Sequence, residues 1–118
     1  MLPCRIDDLN DDELPTIDSG RGIKSLQAYY KKIAKNRGWD DESAKDTMLL
    51  LTEEVGELAR AIRKSEGLRR DHKYRVNLEE ELSDIQLYLL HLANIVNVDL
   101  GDAVTRKEMK NAERFNSK

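Results

Sequence analysis

The chain has 118 residues, 39% of them hydrophobic and 36% charged, with one Phe, one Trp and a formal net charge of −3. That length fits one domain, and the charge excludes the basic excess that broad nucleic-acid binding requires. A single cysteine, Cys4, excludes an intrachain disulfide and a thiolate metal site.

A core drawn from this stock comes mostly from Leu, Ile, Val and Ala. A chain this small buries a modest fraction of its surface, so partner subunits are expected to complete the core. No apolar run approaches the roughly 20 residues that span a bilayer. The residues after Met1 are acidic and polar, unlike a secretory signal. A cytoplasmic protein is therefore expected, with neither membrane nor nucleic acid as partner.

Residues 1–20 carry Asp7, Asp8, Asp11, Asp12, Glu13 and Asp18 against one base, Arg5, together with Pro3 and Pro15. They read as a flexible acidic arm ahead of a helical domain over 21–118. A first helix is predicted over about 22–37, with Ile23, Leu26, Tyr30 and Ile33 on one face and Gly38 as its left-handed cap. Asp40 or Asp41 is expected to cap a second helix, which runs to about Ser65 and stops at Gly67. Residues 68–76 read as a basic irregular loop. Asn77 and Glu80 have the spacing of a capping box for a third helix ending near Asn97. Asp99 is expected to cap a fourth, over about 100–114. No alternating β-branched run competes, so the class is all-α, a four-helix bundle.

The second helix has an apolar stripe, Met48, Leu51, Val55, Leu58 and Ile62, flanked by Leu50, Glu54, Glu57 and Ala61. The third repeats the pattern, with Leu78, Leu82, Ile85, Leu89 and Leu92 flanked by Glu81, Asp84, Tyr88, His91 and Ile95. Each helix thus sets two carboxylates on one face at the edge of its seam. In a helical hairpin, Glu57 lies roughly 14 Å before the loop and Asp84 roughly 10 Å after it, a mismatch of under one turn. Facing carboxylates 4 Å apart repel by about 4 kcal/mol per pair at an effective dielectric near 20. A hard cation, Mg²⁺ or in its place Mn²⁺, suits an all-oxygen ligand set. Zinc lacks thiolates or a His pair, and a ferritin-type di-iron site lacks its Glu-x-x-His motifs, since neither His72 nor His91 has a Glu three residues earlier. One such Glu-x-x-Glu alone is commonly a solvated face; two on successive seams point to function.

The run Leu51-Thr52-Glu53-Glu54-Val55-Gly56-Glu57-Leu58-Ala59-Arg60-Ala61-Ile62, followed by Glu80-Glu81-Leu82-Ser83-Asp84-Ile85, resembles the signature of the MazG-like nucleotide pyrophosphohydrolases. Val98-Asp99-Leu100 through Lys107, Asn111 and Arg114 is similar to that family's last helix, and the likeness spans about residues 23–115. The resemblance implies an all-α, Mg²⁺-dependent enzyme that splits a nucleoside triphosphate into a monophosphate and pyrophosphate, assembled as a homodimer or tetramer. Carried over by position, Glu54, Glu57, Glu81 and Asp84 are its metal ligands. Glu53 and Glu54 are its candidate catalytic carboxylates, Glu53 binding metal, orienting water, or simply lying at the surface. Tyr88 either borders the nucleotide or is tethered in the core, and Lys107 and Asn111 either reach phosphate or sugar or belong to the surface. Trp39 either stacks on a base or staples the helix junction.

Arg69, Arg70 and Lys73 read as a solvated run, with a phosphate clamp as the lesser reading. His91 is expected to be half-buried and satisfied. Gly56 suggests close approach of another helix, because a helical glycine otherwise costs about 1 kcal/mol relative to alanine. Two further functions stay open: a phosphoribosyl-ATP pyrophosphohydrolase, which shares the chemistry, and a non-catalytic helical interaction module. Inward-facing carboxylates favour catalysis and outward-facing ones favour a basic partner.

Overall fold

The computed structural model describes residues 22–66 and 72–116. These form four helices and no strand: α1 (Ile23–Asn36), α2 (Ala44–Ser65), α3 (His72–Ile95) and α4 (Leu100–Asn116). The arm expected over 1–20, with Cys4, and the residues Gly67, Arg69 and Arg70 lie outside the described residues, as does the Lys73 side chain. No described helix is long and apolar enough to cross a membrane.

Local signals set the helix ends. Gly38 has φ +78°. Its N–H donates to the Lys35 carbonyl, and the Trp39 N–H donates to the Ala34 carbonyl, which satisfies the last turn of α1. Asn97, at φ 58°, closes α3 the same way, with the Val98 N–H on the Ala93 carbonyl. Asp99 caps α4 as expected, its Oδ1 accepting from the Asp102 N–H at 3.0 Å. Two starts differ from expectation. The cap of α2 is Ser43, whose Oγ accepts from the Asp46 N–H at 3.0 Å, because residues 39–42 continue the turn. Helix α3 begins at His72 rather than Asn77. Nothing from Lys73 to Val76 breaks a helix, and an interior Asn costs only about 0.7 kcal/mol, so the spacing of Asn77 and Glu80 is a false start signal.

Helix α3 is central, packing along α2 and against α1, while α4 packs on α1. Tyr30, Ile33 and Ala34 of α1, Leu51 and Ala61 of α2, and Leu90 and Ala93 of α3 form the buried apolar core. Gln27 ties three elements together. Its Nε2 donates to the Val98 carbonyl at 2.7 Å, its Oε1 accepts from the Leu100 N–H at 2.9 Å, and its own carbonyl accepts from Asn94 at 3.1 Å. Helix α4 buries no side chain.

The buried faces of α2 and α3 are turned relative to the expected stripes. On α2 the inward residues are Thr47, Leu51, Ala61 and Ser65, with Glu54 and Leu58 half-buried, while Met48, Val55 and Ile62 are exposed. On α3, Leu90, His91 and Ala93 are buried and Leu82 and Leu89 are exposed, as is Val96 just past its end. An apolar stripe this wide offers two faces, and the hairpin uses the one that carries the glutamates. A Cβ built on Gly56 meets nothing within 4 Å, so the close helix approach expected there is absent among the described residues.

Candidate active site

The face of α2 that buries Leu51 and half-buries Leu58 also carries Glu54, and Glu81 meets it from α3. One carboxylate oxygen each from Glu54, Glu57 and Glu81 lies within 4.8 Å of the other two. Glu54 and Glu81 are half-buried and Glu57 is exposed. Oε2 of Glu54 and Oε2 of Glu81 are buried without a hydrogen-bond partner, an arrangement that costs free energy unless something electropositive meets them. Burial, then the hydrogen-bonding contact with Glu81, then the charges of Glu57 and Asp84 push the Glu54 carboxyl up to about 7. Asp84 falls outside the 4.8 Å group; it is exposed and lines the adjoining cavity, from which its charge still acts on Glu54.

The donor set is oxygen only, and two of its buried oxygens lack partners. Such a site fits a hard divalent cation held by carboxylates from two helices.

Beside the carboxylates lies a cavity of about 290 Å³. Trp39, Tyr30 and Tyr88 supply aromatic surface, Leu50 and Leu87 apolar surface, and Arg37, Glu42, Asp84 and His91 polar groups. The Arg37 guanidinium sits 5.3 Å over the Trp39 ring. The Tyr30 and His91 rings meet edge-on, centroids 5.6 Å apart. Burial first, then the nearby carboxylates beginning with Glu54, raise the Tyr88 phenol, so it stays a hydrogen-bond donor at neutral pH. A larger cavity of about 560 Å³ between the start of α1 and the end of α3 shares no residue with the carboxylates.

Of the residues expected in the site, Glu54, Glu57 and Glu81 are brought together, and Trp39, Tyr88 and Asp84 line the neighbouring cavity. Trp39 lines the cavity, and its N–H also closes the last turn of α1 on the Ala34 carbonyl. Glu53 is exposed on α2 outside the tight group. Lys107 is exposed on α4, and the Asn111 amide lies 3.5 Å from the Glu108 carboxylate; neither lines the cavity. His91, expected to be half-buried and satisfied, is 4% exposed with neither ring nitrogen hydrogen-bonded. Its place on the stripe of Glu81, Asp84 and Tyr88 was the available signal. Arg37, Glu42 and Tyr30 reach the cavity through the α1–α2 turn and the packing of α1, which no spacing encodes.

Residues 42–117 match the MazG nucleotide pyrophosphohydrolase domain. The dCTP pyrophosphatase 1 of Rattus norvegicus is 33% identical over 99 residues, covering 79% of this chain and 58% of that protein. That of Homo sapiens is 32% identical over 99 residues, with 79% and 58% covered. The chain thus spans about 58% of the length of these curated relatives.

Proposed function

Because the chain belongs to the MazG nucleotide pyrophosphohydrolase family, we propose that it hydrolyses a nucleoside triphosphate, ribo or deoxy, to the monophosphate and pyrophosphate. One observation carries this reading: two half-buried glutamates from successive helices bring their carboxylates together beside an aromatic cavity, each with one buried oxygen that has no hydrogen-bond partner. Carboxylates serving a basic protein partner would lie outward and hydrated.

Glu54, Glu57 and Glu81 would hold Mg²⁺, with Mn²⁺ as a substitute, and Asp84 would complete the set from the cavity side. When bound, the cation supplies charge neutralisation for the triphosphate and acidifies water. The chain's own residues do the rest. Glu54 and Glu81 fix the cation's place, since packing of α2 on α3 restricts their rotamers. Glu53, one residue from Glu54, orients the attacking water. Trp39 and Tyr88 bracket the base, and positioning of this kind dominates phosphoryl-transfer catalysis. A cytosolic setting, where nucleotides and Mg²⁺ are abundant, suits the reaction, as does a role in clearing excess or noncanonical nucleotides.

The exposed apolar residues of α2 and α3 support assembly as a homodimer or tetramer. In that assembly Lys107 and Asn111 would reach phosphate or sugar from the α4 of another subunit. The test is pyrophosphate release from a panel of dNTPs, NTPs and phosphoribosyl-ATP with Mg²⁺, repeated with EDTA. Chelation is expected to abolish release, and Glu54→Gln or Glu81→Gln to lower kcat/KM at least roughly 100-fold, the scale of losing one electrostatic element of a site. Release indifferent to chelator and to both substitutions would end the proposal.

A further inference from the structure

His91 is buried to all but 4% of its surface, and neither Nδ1 nor Nε2 has a hydrogen-bond partner. Tyr30 of α1 meets it only ring to ring. Glu42, from the turn ahead of α2, brings its Oε2 to 3.3 Å from Nε2, yet the two are not aligned as a hydrogen bond. That same Oε2 lies 3.4 Å from the hydroxyl of Thr47, a fully buried residue. A buried imidazole that makes no hydrogen bond costs free energy unless another group meets its lone pair.

We infer that His91 Nε2 and Glu42 Oε2 are two ligands of a tetrahedral divalent cation, Zn²⁺ or Co²⁺, at a site that shares no ligand with the proposed Mg²⁺ carboxylates. Their separation selects the ion. Donors about 2.0–2.1 Å from one zinc, held at the tetrahedral angle, stand about 3.3 Å apart. That is the distance between Nε2 and Oε2. Octahedral Mg²⁺ sets its neighbouring ligands about 3.0 Å apart and prefers oxygen to imidazole. Direction agrees with distance. A shared tetrahedral ion lies about 35° off the line between its donors, whereas a hydrogen bond needs them nearly collinear. The Thr47 hydroxyl donates to Oε2 and fixes it, as groups behind metal ligands commonly do. Both ligands line the cavity of about 290 Å³, so the two remaining positions open to it and take water. Of the other charged residues there, Asp84 favours a cation and Arg37 opposes one. With two protein ligands instead of four, the ion is held reversibly, and its arrival narrows the cavity beside Trp39.

Trp39, the only tryptophan, reports on this cavity by fluorescence. The full-length chain, in excess Mg²⁺, is titrated with Co²⁺ and then with Zn²⁺ against a chelating dye. Cobalt is expected to bind one to one with the strong visible absorption of a tetrahedral site, to quench Trp39, and to be displaced by zinc. His91→Gln and Glu42→Gln should each weaken zinc binding at least roughly tenfold, the least that even an indirect partner of a metal contributes. Glu54→Gln should leave it unchanged. Circular dichroism melting identifies a variant that fails to fold. In that event the ring nitrogen signals of wild-type His91, distinct from those of His72, decide, because zinc must shift Nε2. An octahedral cobalt spectrum, zinc affinity unmoved by both cavity substitutions, affinity lost in Glu54→Gln instead, or a His91 ring indifferent to zinc would each leave a plain His–Glu contact and overturn the inference. Mg²⁺-dependent pyrophosphate release that requires Glu54 stands or falls separately.

Discussion

Glu54 sits where burial and the neighbouring Glu81, Glu57 and Asp84 favour its protonated form, with a titration near 7 instead of 4.5. Folded protein therefore holds a proton that unfolded chain releases across that interval. Its contribution to stability is complete below about 4.5 and is lost as pH rises through about 7. Metal-free protein should accordingly melt lower at pH 8 than at pH 5.5, and Mg²⁺ should restore the difference by taking the proton's place. Glu54→Gln should flatten this pH dependence and raise the metal-free melting temperature at pH 8 by roughly 4 °C, equivalent to about 1 kcal/mol for a chain of this size. Calorimetric scans with and without Mg²⁺ check both statements. A pH-independent wild-type melt would contradict the assigned environment. Apparent Mg²⁺ affinity should rise across the same interval, because binding requires the carboxylate.

Among the helices, punctuation by single residues was legible where backbone geometry leaves little choice. Gly38 and Asp99 act as the sequence implies, because a left-handed cap and an N-cap side chain each have few alternatives. Ser43, not Asp40 or Asp41, caps α2, and Asn77 lies inside α3, which starts at His72. Each is a polar residue compatible with either role, so only the surrounding turn decides. Gly38→Ala should destabilise the protein by roughly 1–2 kcal/mol, the cost of a left-handed β-carbon. It should also weaken nucleotide binding, since the same turn carries Trp39 and Glu42 to the cavity. Chemical denaturation and a Trp39 fluorescence titration measure the two effects. Loss of stability without loss of affinity would separate the turn from the site. The carboxylate pairs were legible because Glu54, Glu57 and Glu81 follow helical spacing; Glu42 and Arg37 were not, because a turn delivers them.

At the scale of the molecule, the sequence displays more apolar stripe than the described residues bury. Periodicity identifies a surface that seeks cover but not whether α1, α3 or a second copy provides it, which is why Met48, Val55, Ile62, Leu82 and Leu89 were expected in the core and stand exposed. Leu82→Glu or Leu89→Glu should shift the protein toward monomer in sedimentation velocity, and the wild-type melting temperature should rise with protein concentration. A wild type that is monomeric at all concentrations would refute the shared core. Helix α4 adds Val104, Met109 and Phe115 to the exposed apolar residues. It buries no side chain, and its junction is held by the Gln27 amide and by Lys24, which reaches Asp99 at 3.2 Å and Asp102 at 3.5 Å. A limb secured at its root by polar bonds, its Val104, Met109 and Phe115 uncovered, should exchange its amide protons soonest and swing as a unit. Its travel is then governed by the tether at Gln27, and whatever Lys107 and Asn111 touch is decided by where that limb comes to rest.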